Sequence, residues 1–95
     1  MPTLRVEHGV RDFDAWKQGF DNDPVGREQG GVRRYSVLRT TDDPNFVLVD
    51  LEFDTADQAE AFREALRELW TRAGEGLGLE GPQARIVETL ESREY

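Results

Sequence analysis

One imidazole is present in the 95-residue chain, at His8, and histidine is the side chain whose ordinary pKa lies nearest neutral pH. His8 falls in step with Leu4, Val6 and Val10, and an apolar residue at every second position is typical of a strand with one buried face. We therefore expect His8 to point inward. Two interpretations stay open: a core histidine whose ring nitrogens have found partners, or a catalytic, pocket-lining residue that accepts a proton from a phenol or enol substrate.

Four aromatic side chains are candidates for binding a substrate. They recur at helical spacing in two segments, Trp16 and Phe20 in the first, Phe62 and Trp70 in the second. Such a stripe is expected to face the sheet of a small mixed domain. There it either fills the core or walls a cavity that accepts a flat aromatic ligand, and both interpretations stay open.

Arg34 is the candidate for binding an anionic substrate group, within a segment that is locally basic in an acidic protein. Strand alternation groups Arg33 with Tyr35, Val37 and Arg39, and it places Arg34 on the other face with Val32, Ser36 and Leu38. One hypothesis is ion pairing of these arginines with Asp50, Glu52 or Glu7. The other is that Arg34 reaches a pocket and holds the anionic group there.

The residue types that are absent exclude several chemistries. The sequence has no cysteine, which rules out disulfides, thiol nucleophiles and thiolate metal sites, and one histidine rules out a site that needs two imidazoles from one chain. We expect neither a metal site nor a cofactor. A formal net charge of −8 disfavours nucleic acid as a partner. No apolar run approaches the roughly 18 residues that span a bilayer, so we expect no membrane partner and a cytoplasmic location.

Periodicity and capping signals predict the elements that position these side chains within a single domain, 1–95. Asp12 is placed to cap a first helix, which Pro24 ends, and Thr55 and Gln58 have the spacing of a capping box at the start of a second. Strands are expected at 4–10, 32–40, 46–53 and 84–90. The order βαββαβ predicts an α+β, ferredoxin-like antiparallel sheet with both helices on one face.

The face of the sheet without helices needs a cover. We expect Phe46, Leu48, Tyr35 and Val37 to lie there, which is a large apolar area to leave in water. A second copy of the chain can cover this patch across a two-fold axis, which predicts a homodimer. A monomer with a half-polar open face is the alternative, because antiparallel sheets tolerate one solvated face.

Three segments carry a resemblance to a known family: "VEHGVRDFDAW" at 6–16, "GVRRYSVLRTTDDPNFVLVDLEFDTADQAEAFREAL" at 31–66 and "PQARIVE" at 82–88. With them the chain resembles the dimeric α/β-barrel superfamily, and within it the small stand-alone antibiotic biosynthesis monooxygenase domains. The resemblance implies a dimeric α/β barrel with a pocket in each subunit between the sheet and its helices.

The resemblance also bears on activity. Cofactor-free oxygenases of this fold use a tryptophan of the second helix, and Trp70 stands at the matching position. Leu66 departs from their pattern, since they tend to carry a polar side chain one turn earlier. Haem-degrading relatives need a histidine just after the second helix, and this chain has none there.

The function expected from the sequence is a small-molecule pocket protein. Its predicted activity is that of a cofactor-independent monooxygenase or cyclase-like enzyme on an aromatic or polyketide-type substrate. In this interpretation His8 accepts the proton, Arg34 holds an anion and the aromatic side chains bind the ring system. The alternative is a non-catalytic dimeric ligand-binding or interaction module, which a tightly filled core would favour.

Overall fold

The computed structural model describes residues 1–73, 76 and 78–95. Their elements occur in the predicted order, and the bounds are β1 (Pro2–Val10), α1 (Phe13–Asp21), β2 (Val32–Arg39), β3 (Phe46–Phe53), α2 (Ala56–Ala73) and β4 (Leu79–Glu88). The strands form one antiparallel sheet in the order β2-β3-β1-β4. This is the ferredoxin-like fold that the sequence predicts.

The two central strands supply most of the core. Every second residue of β1 and β3 is buried against the helices, and these side chains are Leu4, Val6, His8 and Val10 in β1 and Val47, Val49, Leu51 and Phe53 in β3. Both strands have a neighbour on each side, so the burial pattern follows the pleat without interruption. The inward orientation of His8 is therefore confirmed.

The two helices begin where the capping signals predict. The Asp12 carboxylate accepts a hydrogen bond from the backbone N–H of Asp14 at 3.0 Å, and this caps α1. Thr55 and Gln58 cap α2 reciprocally: each backbone N–H donates to the other's side-chain oxygen, at 3.3 and 3.2 Å. Within the residues that the structure describes, no helix is both long enough and apolar enough to cross a membrane.

The last strand begins earlier than predicted, at Leu79 instead of residue 84, and ends at Glu88. Gly81 and Pro82 argue against a regular strand, but β4 lies at the sheet edge, where proline is tolerated because its missing N–H faces away from the ladder. Both residues lie opposite His8, where the register shifts in a β-bulge, and Gly81 takes up the positive φ of 57°.

The assignment of Tyr35 and Val37 to the open face of the sheet is wrong. Tyr35 pairs with Leu51 and Val37 with Val49, and residues opposite each other in a ladder point to the same side, which here is the side of the helices. The open face of β2 carries Arg34, Ser36 and Leu38 instead. Alternation groups the residues of β2 from Arg34 onward correctly, but it does not say which of the two groups the helices cover.

A second bulge, at Arg33, moves Val32 away from the group to which strict alternation assigns it. The register shifts between Val32 and Arg34, so that Val32 pairs with Phe53 and Arg34 with Glu52. Val32 is therefore partly buried against the core, while Arg34 stays on the open face.

Candidate ligand pocket

A cavity of about 410 Å³ lies between the helix-covered face of the sheet, α1 and α2. The sheet contributes Val6, His8, Val49 and Leu51, and the helices contribute mainly apolar and aromatic side chains, including Trp16 and Phe20 from α1 and Phe62, Leu66 and Trp70 from α2. Both the size and the apolar, aromatic lining are those of a small-molecule site.

The cavity exists because the two helices pack on the sheet differently. The small side chain of Ala59 and the ring of Phe62 are buried, so α2 docks closely, whereas α1 has no buried residue. The rings of Trp16 and Phe20 are only partly covered. Gly19 lines the cavity and is exposed, which places an opening to solvent beside α1.

His8 is 3% exposed and borders the cavity. Its ring lies edge-on to Trp16, with the ring centroids 5.6 Å apart and the planes at 62°. Nδ1 lies 3.3 Å from the backbone oxygen of Gly9. A carbonyl oxygen only accepts, so this contact favours the tautomer that carries its proton on Nδ1 and leaves the lone pair on Nε2.

The electrostatic setting of His8 favours the neutral ring. Burial lowers the pKa of His8 below its ordinary value, and the hydrogen bond to the Gly9 carbonyl offsets this only in part. A neutral imidazole is the form that accepts a proton, so the chemistry that this residue can perform near neutral pH is general-base catalysis.

Arg27 is a cavity residue that the sequence does not reveal. Its guanidinium carbon lies 4.1 Å from the centroid of the Phe20 ring and 4.8 Å from that of Tyr35. Nη1 donates a hydrogen bond to the backbone oxygen of Phe20 at 2.8 Å. Nε lies 3.6 Å from the carboxylate of Asp23. The segment around Arg27 has no periodicity, so no sequence signal places this side chain.

Asp23 sets the path of the chain that carries Arg27. It has a φ of 54°, the left-handed conformation that often follows the last turn of a helix, and its N–H donates to the Phe20 carbonyl at 3.0 Å. The Asp23 carboxylate accepts the backbone N–H of Arg27 at 2.8 Å. Aspartate is among the few residues that tolerate this backbone conformation, and its side chain fixes the following turn.

Five of the six predicted site residues line the same cavity, namely His8, Trp16, Phe20, Phe62 and Trp70. The sixth, Arg34, does not. It lies on the opposite face of the sheet, where its side chain is 72% exposed and its Nε is 2.6 Å from Glu52. This hydrogen-bonded pair raises the pKa of Arg34 and lowers that of Glu52. Arg34 therefore cannot hold an anion in this cavity, and ion pairing, the first of the two hypotheses for it, is correct.

The acidic residues of the described ranges do not gather into a metal site. Within residues 1–73, 76 and 78–95, no group of three or more histidine, aspartate or glutamate side chains is placed to hold a metal ion.

Comparison with known proteins identifies the fold. No protein-family model and no curated protein matches the sequence, but solved structures match nearly the whole chain. SnoaB, a cofactor-independent oxygenase from Streptomyces nogalater, has a TM-score of 0.71 at 17% identity, covering 96% of this chain and 94% of its own. A protein from Nitrosomonas europaea, assigned as an antibiotic biosynthesis monooxygenase, has a TM-score of 0.61 at 22% identity, with 96% and 100% covered.

A third solved structure, a dimeric ferredoxin-like protein from an uncultured marine organism, has a TM-score of 0.66 at 12% identity and covers 97% of each chain. At these identities the likeness establishes the fold. The chain therefore has the ferredoxin-like fold of antibiotic biosynthesis monooxygenase-like proteins, as the resemblance of its sequence implies.

Proposed function

We propose that the chain binds a flat aromatic molecule in the cavity and oxidises or cyclises it without a cofactor, with His8 as the proton acceptor. The observation that carries this proposal is the buried, neutral imidazole at the border of an apolar, aromatic-lined cavity. SnoaB, which has the same fold, is described as a cofactor-independent oxygenase, and this supports oxidation without a cofactor as the class of reaction.

The chemistry is that of a substrate that supplies its own electrons. His8 takes a proton from an acidic CH₂ group and leaves a carbanion or its enolate form, whose carbon reacts with O₂ to form a peroxide. Loss of the second C–H proton and cleavage of the O–O bond then give a carbonyl group and one water. One oxygen atom enters the product and the other leaves as water, so no external reductant is consumed. Apolar walls such as Trp16 and Trp70 keep bulk water away from the carbanion.

The direct test uses anthrone, a three-ring ketone with an acidic CH₂ group, and follows oxygen uptake and anthraquinone formation. The wild-type chain is expected to accelerate both. His8→Gln, which keeps a polar side chain but removes the base, is expected to lower the rate about 100-fold. Arg67→Gln is the control because Arg67 is half-exposed on α2 and pairs with Glu64. If folded His8→Gln retains the full rate, the role of His8 is wrong.

The same experiment separates catalysis from binding alone. If the protein binds anthrone, measured by quenching of tryptophan fluorescence, but consumes no oxygen, then the non-catalytic ligand-binding module is the correct function. A tightly filled core would also favour a non-catalytic module, but the cavity of about 410 Å³ argues against such a core.

We further propose that two copies pair through the open face of the sheet. On this face three cross-strand ion pairs balance their own charge: Arg34 with Glu52, Arg5 with Asp50, and Arg85 with Glu7. Between and beside them lie Phe46, Leu48, Leu38 and Val87, of which the last two are 44% and 39% exposed. An apolar, charge-balanced surface suits self-association, and dimers are named among the solved structures of this fold.

Light scattering coupled to size-exclusion chromatography tests the pairing. The wild type is expected to elute as a dimer, and Leu38→Glu is expected to shift the population to monomer because a charge enters the apolar patch beside Leu48. Gln18→Glu adds the same charge on the exposed side of α1 and is expected to leave the dimer intact. A monomeric wild type would contradict the proposal.

A further inference from the structure

We propose that Arg27 binds an anionic group of the ligand, a carboxylate or a phenolate, so that the cavity selects flat aromatic anions over their neutral counterparts. The inference rests on the proposed function, since it presumes that an aromatic ligand occupies the cavity. It goes further by naming the charge of that ligand and the side chain that recognises it.

The guanidinium of Arg27 lies beside two aromatic rings at the cavity. Its carbon lies 4.1 Å from the Phe20 ring centroid and 4.8 Å from that of Tyr35, and the side chain is 17% exposed. Phe20 is also part of the aromatic wall, with its ring centroid 5.2 Å from that of Trp16. The cation is therefore built into the wall that a flat ligand would contact, and the neighbouring rings hold it there.

Arg27 also has more hydrogen-bond donors than its neighbours in the protein use. A guanidinium has five N–H groups, and the faces of the neighbouring aromatic rings offer no ordinary hydrogen-bond acceptor for them. Nη1 donates to the Phe20 carbonyl at 2.8 Å, and Nε lies beyond hydrogen-bond distance of Asp23, at 3.6 Å. The remaining N–H groups suit a carboxylate, for which the planar fork of arginine is well matched.

The charged residues around the cavity include a carboxylate close to Arg27. Four charged residues border the cavity: Arg11, Asp12, Asp23 and Arg27. The carboxylate of Asp12 is engaged in capping α1, and that of Asp23 accepts the backbone N–H of Arg27. The Asp23 carboxylate lies 3.6 Å from Nε of Arg27, so its negative charge opposes the binding of an anion there. Removing this charge is expected to strengthen anion binding.

The experiment compares two ligands of nearly equal shape, 2-naphthoate and 2-naphthamide, by isothermal titration calorimetry at neutral pH. The first is an anion and the second is uncharged. The wild type is expected to bind naphthoate more tightly. Arg27→Gln is expected to weaken naphthoate binding about ten-fold, the size of one charge-assisted hydrogen bond, and to leave naphthamide binding within about two-fold.

Asp23→Asn provides the opposite perturbation. Asparagine tolerates the left-handed backbone conformation, and its amide oxygen can still accept the N–H of Arg27, so the turn is preserved while one negative charge is lost. We expect naphthoate to bind a few-fold more tightly to this variant and naphthamide to bind unchanged. Arg27→Gln removes the hydrogen bond to the Phe20 carbonyl and could prevent folding. In that case the measurements on Asp23→Asn test the proposal.

The outcomes separate the two proposals. If neither ligand binds the wild type, the aromatic pocket itself is wrong and the role of Arg27 falls with it. If both ligands bind equally well and neither substitution changes their ratio, the pocket stands and the role of Arg27 alone is overturned. Opposite shifts of naphthoate affinity in the two variants, without a matching shift for naphthamide, support anion recognition.

Discussion

Replacing His8 with glutamine should change how the stability of the protein depends on pH. Burial lowers the pKa of His8 in the folded protein, whereas the unfolded chain has the ordinary value of about 6.5. As pH falls below that value, the unfolded chain takes up a proton that the folded protein refuses. The free energy of unfolding of the wild type is therefore highest above about pH 6.5 and falls on acidification until the folded pKa is reached.

The magnitude follows from linkage. One group that titrates only in the unfolded state gives a slope of at most about 1.4 kcal/mol per pH unit, so the wild type should lose up to about 1 kcal/mol between about pH 6.5 and pH 5.5. His8 is the only histidine, so no other imidazole contributes to the change in this pH window. Glu52 titrates lower still, because its hydrogen bond to Arg34 depresses its pKa, and the stability from that pair is lost only at more acidic pH.

The assay is urea unfolding followed by tryptophan fluorescence, with wild type and His8→Gln at one protein concentration and several pH values. The difference between the two proteins removes contributions that they share, such as those of the carboxylates and the chain terminus. The gap in their unfolding free energies should narrow or reverse as pH falls towards about 5.5. Parallel profiles would show that folding does not change the pKa of His8. A wild type that gains stability relative to the variant on acidification would show that the folded state favours the charged ring.

Three further substitutions test the packing described above, each by thermal or urea unfolding. Gly19→Ala should stabilise the protein by roughly 0.5–1 kcal/mol, because Gly19 lies inside α1 and an added Cβ meets nothing within 4 Å. Gly30→Ala should destabilise it by roughly 1–3 kcal/mol, because its Cβ would lie 2.7 Å from the ring of Phe62, and equal effects at the two glycines would refute this contrast. Thr55→Ala removes the acceptor for the N–H of Gln58 and should cost roughly 1 kcal/mol, whereas an unchanged midpoint would mean that the capping box contributes nothing.

The central parts of the fold could be predicted from the sequence because burial imposes a strict pattern on them. Strands β1 and β3 each have two neighbours and one covered face, so alternation in β3 reads directly as burial. The helix starts are equally legible, since Asp12 and Thr55 make the hydrogen bonds that their positions predict.

The edge strands could not be predicted as well, for a physical reason. An edge strand is partly exposed on both faces, so the burial contrast that marks the inner face weakens, and β2 has no fully buried residue. Bulges at Arg33 and opposite His8 break the alternation further. The wrong face predicted for Tyr35 and the predicted start of β4 at residue 84 instead of Leu79 both follow from this.

The candidate site shows the same difference between residues on regular elements, which could be predicted, and residues on edge strands or turns, which could not. The aromatic stripe and His8 belong to regular elements, so their periodicity brings them to one cavity. Arg34 belongs to the edge strand β2, and it lies on the open face of the sheet, away from the cavity. Arg27 owes its position to a left-handed turn at Asp23 and to contacts with Phe20, which are local geometry without a periodic signature.

The cavity itself follows from the difference between the sheet-facing residues of the two helices. Where α2 turns Ala59 to the sheet, its backbone approaches closely and the side chain is fully buried. Where α1 turns Trp16 and Phe20 to the sheet, two large rings hold the helix at a distance and lean on each other, with centroids 5.2 Å apart. A helix that turns two large rings to the sheet leaves space beneath it, and that space lies beside the buried imidazole of His8, whose ring contacts Trp16. The residues that open the cavity are thus the ones that would bind an aromatic ligand in it. Replacing Trp16 with a smaller residue would change both the size of the cavity and the binding of the ligand.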